Sequence, residues 1–117
     1  MGLLQEFTPN EANANCYERD KGMHLSPHFD DRSLSGEVLV NLSLRSSCVM
    51  TFRNPKTGHT VGVQLPQRSL QVVSGKARFE YTHGIRNNDL QGPMRISITF
   101  RKAQLTAGVG KRAGGRL

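Results

Sequence analysis

Tryptophan is absent from this sequence, and phenylalanine and tyrosine together supply only 6% of its residues. A core without large aromatic rings has to be filled by aliphatic side chains. A chain of 117 residues has room for one modest core, hence for one domain. No stretch approaches the roughly 18 apolar residues that a membrane-spanning helix requires. Cysteine is scarce: Cys16 and Cys48 are the only two, and they fall in unrelated segments. Two isolated cysteines in a chain without secretory features are expected as free thiols. The opening stretch, MGLLQEFTPN, has no basic n-region and carries Glu6, so a secretory leader is not expected. It also lacks the Ser or Thr that N-myristoylation uses at the sixth position. The expected setting is therefore cytoplasmic, nuclear or both, with no membrane partner.

Acidic residues are also missing from one end. The formal charge is +7, and residues 102–117, KAQLTAGVGKRAGGRL, contribute +4 of it through Lys102, Lys111, Arg112 and Arg116 with no acid. The remainder of the chain is only mildly basic. Residues 104–117 hold four of the twelve glycines and read as a basic, Gly-rich disordered tail, able to touch phosphate backbones without specificity or simply to be solvated. Residues 1–103 read as the folded domain.

Helical periodicity is hard to find, whereas strand signals recur. ANCYE (14–18), MHLSPHFD (23–30), GEVLVNLSL (36–44), CVMTFRN (48–54), HTVGVQLP (59–66), SLQVVSG (69–75), RFEYTHGI (78–85) and RISITFR (95–101) predict about eight short strands. Pro27 implies an edge or irregular position for the second. NPKTG (54–58) has the composition of a hairpin turn. The spacing predicts an all-β sandwich, jelly roll or barrel with little or no helix.

Residues 24–31, HLSPHFDD, carry two of only four histidines beside two aspartates. In a strand, residues two apart share a face, so His28 and Asp30 project together as an H-x-D pair. Such a pair alone is equally a polar turn. The later strands add to it. His83 follows the strand that ends in YTHGI. In RISITFR, alternation puts Arg95, Ser97, Thr99 and Arg101 on one face and Ile96, Ile98 and Phe100 on the other. A buried arginine needs an anionic partner. Arg95 and Arg101 lie about 20 Å apart along an ideal strand, a span across which two long side chains lean toward one small dicarboxylate. Two imidazoles and one carboxylate on a β scaffold have the composition of a facial triad for non-haem iron.

Together these motifs, H-x-D, the distal His83 and R-x-x-x-x-x-R over 95–101, with Asn15-Cys16-Tyr17 upstream, resemble the AlkB family of Fe(II)/2-oxoglutarate dioxygenases. The resemblance covers most of residues 7–103. SPHFDDRSLSGEVLVNLSL and LPQRSLQVVSGKARFEYTHGI are most similar to the homologue-four branch. It implies a double-stranded β-helix, with Fe(II), 2-oxoglutarate and dioxygen as cofactor and co-substrates. His28, Asp30 and His83 would be the metal ligands and catalytic centre. Arg95, helped by Tyr17, would bind the distal carboxylate of 2-oxoglutarate, with Arg101 and Asn15 near its metal-proximal end. It further implies oxidative demethylation of N-methyl groups on protein lysine, in actin-related partners for example, or on adenine in DNA or RNA, by a monomer. Family members carry a substantial region before the catalytic core. Here Tyr17 stands sixteen residues after Met1, so the domain is expected to lack its N-terminal region.

Two other readings stand beside the enzyme: a catalytically inactive β-barrel that acts as a binding module, and a cupin-like metal protein of different chemistry. The arginine pair argues against the latter. Among the remaining residues, His24 and His59 are expected at the surface, Tyr81 in the pocket or the core, Gly75 and Gly84 at turns or bulges, and Arg86, Asn87 and Asn88 in a polar loop.

Overall fold

The computed structural model describes residues 7–30 and 36–103. The segment 104–117 expected as a tail lies outside the described residues, as does Asp31. Among the described residues there are eight strands: β1 (Glu11–Glu18), β2 (Leu25–His28), β3 (Leu39–Arg45), β4 (Cys48–Arg53), β5 (Thr60–Leu65), β6 (Ser69–Val73), β7 (Thr82–Ile85) and β8 (Met94–Arg101). They form two four-stranded sheets, ordered β1-β8-β3-β6 and β2-β7-β4-β5, whose paired strands are antiparallel throughout. The chain crosses repeatedly between the sheets, and this is the double-stranded β-helix.

One expected strand is corrected. Residues 78–85 do not run as a single strand: α1 (Gly75–Phe79) takes the first part and β7 the second. Lys, Ala and Arg are good helix formers. Gly75, at φ +59°, makes the left-handed entry from β6 that a residue with a Cβ resists. The turn over NPKTG forms as expected. Asn54 Oδ1 accepts from the main-chain N–H groups of Lys56 and Thr57, and Gly58 closes the turn at φ +81°. Cys16 and Cys48 are free, the first exposed and the second buried.

The two sheets differ in which face is apolar. The second packs conventionally: Cys48, Met50, Phe52, Leu65 and Ile85 are buried between the sheets. The first turns polar residues inward. Asn41, Ser43, Arg95 and Ser97 are buried, and strand register sets Asn41 opposite Thr99 and Ser43 opposite Ser97. Its other face carries Ala12, Ala14 and Cys16 on β1, Ile96, Ile98 and Phe100 on β8, Val40, Leu42 and Leu44 on β3, and Leu70 and Val72 on β6. These are aligned row by row in the same register. Leu70 is 57% exposed there. Apolar burial comes mainly from the second sheet, joined by Tyr17, Leu39 and Val73 of the first, whose inner surface otherwise carries the polar groups.

β2 is the edge strand on which the H-x-D motif depends. Its register against β7 shifts between Leu25 and His28, where Pro27 has no N–H to donate. The shift is possible because Gly84 of β7 has no side chain. A Cβ there would stand 2.9 Å from the Leu25 carbonyl oxygen and 3.0 Å from the Pro27 nitrogen. Gly84→Ala should therefore push the β2 main chain outward and cost about 1–3 kcal/mol, the usual range for overpacking. The check is a lower urea midpoint with an unchanged m-value; a midpoint equal to wild type would show that β2 yields freely.

Candidate metal centre

His28 and His83 are directly opposed across the β2–β7 ladder, with ring centroids 4.5 Å apart. Asp30 lies two residues past the end of β2 and turns back between them. Its Oδ1 stands 3.3 Å from His28 Nε2 and 3.6 Å from His83 Nε2. The three donor atoms all lie within 4.8 Å of one another. The strands thus bring together the three residues expected as ligands, although His83 is more than fifty positions from the other two.

Hydrogen bonds orient two of the three. The Asp30 carboxylate is divided between partners. Oδ2 accepts from Arg101 Nε at 3.0 Å and Nη2 at 2.8 Å, which leaves Oδ1 for the histidines. His28 Nδ1 lies 2.8 Å from the Ser26 carbonyl. A carbonyl only accepts, so Nδ1 carries the proton and Nε2 faces Asp30. Nε2 and Oδ1 then need a cation between them, either a proton or a metal ion.

The electrostatics follow this arrangement. The hydrogen bond with Asp30 raises the His28 pKa against the opposing effect of burial. Burial works against the charged form of Asp30, but the hydrogen bond from His28 and the charge and hydrogen bonds of Arg101 outweigh it. The carboxyl is held well below the usual range. Burial pushes His83 down to about 4. At neutral pH the centre therefore offers an ionised carboxylate and a neutral imidazole at His83. A metal ion bound here would take the place of a proton between His28 Nε2 and Asp30 Oδ1.

A second group of residues continues along the inner face of the first sheet. Arg95 is 1% exposed. Its Nη2 donates to Asn41 Oδ1 at 3.1 Å and Ser43 Oγ at 2.8 Å, and its guanidinium carbon lies 5.7 Å from the centre of the Tyr17 ring. Asn41 Nδ2 in turn donates to Ser97 Oγ and Thr99 Oγ1, so both hydroxyls have their own hydrogens left to donate. Arg95 Nε is buried without a hydrogen-bond partner, and among the described residues no carboxylate pairs with Arg95. Tyr17 is buried, which raises its pKa and keeps the phenol protonated. Donors in excess of acceptors, around an unpaired buried cation, suit an anionic ligand.

One cavity runs from the histidines to this group and is lined by Asn15, Tyr17, Asp30, Arg95, Ser97 and Arg101 among others. Asn15 remains exposed. Arg101 is committed to Asp30, so what it holds here is the carboxylate expected as a ligand. His24 is exposed and bonds the Gly22 carbonyl. His59 bonds the Tyr81 hydroxyl at 2.8 Å, and Tyr81 lines a separate apolar groove with Phe52, Val61 and Ala77. Asn87 is more than a loop residue: its amide ties the main chain at Arg19 and Met23. Asn41 and Ser43 escaped the sequence reading. Their alternation was visible, but not that the polar side of β3 faces inward, and only the pairing with β8 decides that.

Comparison with known proteins is consistent with this geometry. The sequence profile of the 2OG-Fe(II) oxygenase superfamily matches residues 3–101. The tRNA (carboxymethyluridine(34)-5-O)-methyltransferase alkbh8 of Xenopus tropicalis is 42% identical over 84 residues, covering 72% of this chain and 13% of that protein. The DNA N6-methyl adenine demethylase of Caenorhabditis elegans is 31% identical over 100 residues, covering 86% and 34%. The alpha-ketoglutarate-dependent dioxygenase alkB homolog 4 of Mus musculus is 29% identical over 135 residues, covering 87% and 45%. The chain thus spans less than half the length of each of these relatives. Among solved structures, the capsular polysaccharide assembling protein CapF of Staphylococcus aureus superposes with a TM-score of 0.59 over 86% of this chain and 27% of its own. At 17% identity this likeness shows the fold alone.

The shift at His83 gives a pH prediction. Its folded pKa lies below the unfolded value, so the unfolded chain binds more protons between the two. The stability held by neutral His83 is full above about pH 6.5 and is lost as the pH falls toward 4. In metal-free protein this loss should amount to on the order of 3 kcal/mol relative to His83→Gln, which cannot titrate. Urea unfolding of both proteins at about pH 7 and about pH 4.5 measures it; parallel pH profiles would contradict the assignment.

Proposed function

This chain belongs to the 2OG-Fe(II) oxygenase superfamily and, within it, to the AlkB family, and from that premise we propose that it is an Fe(II)- and 2-oxoglutarate-dependent dioxygenase that removes N-methyl groups by oxidation. The observation that carries the reading is the convergence of His28, Asp30 and His83 on one point, in the same cavity as a buried arginine whose Nε has no partner.

The residues fit the groups the superfamily uses. His28, Asp30 and His83 would hold Fe(II), whose chemistry when bound is to activate dioxygen for oxidation of a C–H bond while 2-oxoglutarate is converted to succinate and carbon dioxide. The chain contributes binding and orientation. Arg95 would meet the distal carboxylate of 2-oxoglutarate through the unpaired Nε, assisted by the Ser97 and Thr99 hydroxyls. Asn41 holds the whole donor set in register, and Tyr17 walls the cavity beside the guanidinium. Arg101 keeps Asp30 ionised and turned toward the histidines. The apolar inner face of the second sheet, with Phe52 near His83, excludes water from one side of the centre.

For the substrate, we infer an N-methyl group on nucleic-acid adenine or on protein lysine. A relative named as a DNA N6-methyl adenine demethylase and the chain's formal charge of +7 favour the nucleic acid. The binding-module alternative keeps one supporting observation, the apolar outer face of the first sheet. Iron-dependent succinate formation, measured beside formaldehyde release from methyladenine DNA and methyl-lysine peptide, separates the two. Folded, iron-loaded protein that forms no succinate would leave the binding module.

Two substitutions divide the site into its parts. Asp30→Ala should remove the charged ligand and sharply weaken binding of Fe(II) or Mn(II). Arg95→Ala should leave metal binding near wild type and weaken 2-oxoglutarate by roughly 2–5 kcal/mol, the cost of breaking a buried charge-assisted pair. Lysine at 95 should restore only part, because an ammonium lacks the planar fork. Calorimetric titration of metal and then of 2-oxoglutarate gives both numbers. If Arg95→Ala bound 2-oxoglutarate as tightly as wild type, the anion subsite would have to be sought elsewhere in the cavity.

A further inference from the structure

The last paired residue of β2 is His28, so Asp30 stands beyond the ladder that fixes the histidines. Its side chain is gripped by Arg101. Its main chain is gripped by a different arginine. Arg78, on α1, is 2% exposed. Its Nη1 donates to the Asp30 carbonyl oxygen at 3.0 Å and its Nε to the Gly36 carbonyl oxygen at 3.4 Å, with the guanidinium stacked 4.9 Å from the centre of the Phe79 ring. Gly36 is itself anchored, donating its N–H to the Lys102 carbonyl at 2.8 Å. Lys102 follows Arg101 directly. One buried fork therefore joins the exit of the H-x-D motif, the start of the run into β3 and the end of the strand that carries both other arginines of the site.

We propose that Arg78 is a positioning residue of the metal centre, holding the main chain at Asp30 so that Oδ1 faces His28 and His83. The proposal rests on the metal assignment made above. The physical reason is leverage. A carboxylate on a short side chain is aimed by its own backbone, and a shift of the Asp30 main chain would carry Oδ1 away from the imidazoles whatever Arg101 does at Oδ2. A planar guanidinium satisfies two carbonyls at once in a fixed relation. A lysine at the same place would offer its donors from a single nitrogen, without the fixed spacing of the fork. Arg78 bonds the Asp30 main chain, away from the carboxylate that would meet a metal, and positions that carboxylate through it.

The test uses metal-free protein and Co(II) as the probe, read by its ligand-field absorption. Arg78→Met should weaken Co(II) binding roughly ten- to hundredfold, as losses of residues that orient a ligand do, and should alter the band pattern. Arg78→Lys should recover part of the affinity. Urea midpoints of the metal-free variants report folding separately. Should Arg78→Met fail to fold, Arg78→Lys decides by the same spectrum. In unmodified protein, exchange of the Arg78 Nε–H with solvent should slow when Zn(II) is added. Folded variants with wild-type Co(II) affinity and spectrum, or an Nε–H exchange rate indifferent to Zn(II), would overturn the role of Arg78 and leave the metal site intact. Wild-type protein that binds no Co(II) would overturn the metal assignment and this proposal with it.

Discussion

The arrangement of the centre depends on how one carboxylate is shared. Asp30 presents Oδ2 to the fork of Arg101 and Oδ1 to two imidazoles. Each partner needs the other: without the arginine, a buried carboxylate would take up a proton to avoid desolvation, and a protonated ligand cannot bind a metal. Without the histidines, Oδ1 would be a buried acceptor with nothing to accept. The ionised state that a metal requires is therefore built in before any metal arrives, by a cation that approaches from the opposite side.

The same economy explains why the first sheet is polar within. Arg95 is nearly inaccessible and has one nitrogen without a partner in the protein, an arrangement that costs free energy until an acceptor meets it. Its other contacts are neutral, to an amide oxygen and a hydroxyl, and they orient the guanidinium without cancelling its charge. An arginine paired internally to an acid would be more comfortable and would have nothing left for a ligand. The residues opposite it on its two ladders are Tyr17 and Arg45; Tyr17 packs beside the guanidinium, and neither adds an acid. The fold loses stability at this point, and the apolar core between the sheets has to offset it.

That division also governs the outer surface. With alternation along β8 and β3, polar residues inside require apolar residues outside, and Ile96, Ile98, Phe100, Leu42 and Leu44 form a continuous layer on the far side of the first sheet. Along this face Val40 is buried, Ile96, Ile98, Phe100, Leu42 and Leu44 are half-buried, and Leu70 is 57% exposed. The relatives of this chain are each more than twice as long as the stretch they share with it.

Much of this was legible in the residue order, because the relevant signals are local. Period-two alternation over 36–44 and 95–101 specifies strands. The NPKTG composition specifies a turn. R-x-x-x-x-x-R places its members on one face of one strand, while H-x-D sets its carboxylate just past the end of the strand that carries its histidine. What the order could not say is which face turned inward. The strongest apolar alternation in the chain, on β3 and β8, faces out, and the hydrophobic pattern taken alone points the wrong way. Nor could it split 78–85 into α1 and β7, since Arg-Phe-Glu-Tyr suits either element until Gly75 sets the chain's direction. The roles of Asn41, Ser43 and Arg78 were invisible for a different reason: each acts by hydrogen bonds to residues 42 to 58 positions away. Sequence by itself determined the strands and the chemical kinds of the ligands, because those depend on neighbours along the chain. Only the tertiary structure decided which groups share a charge and which stay unpaired, because that is settled by strand register and by burial, and both are properties of the assembled sheets.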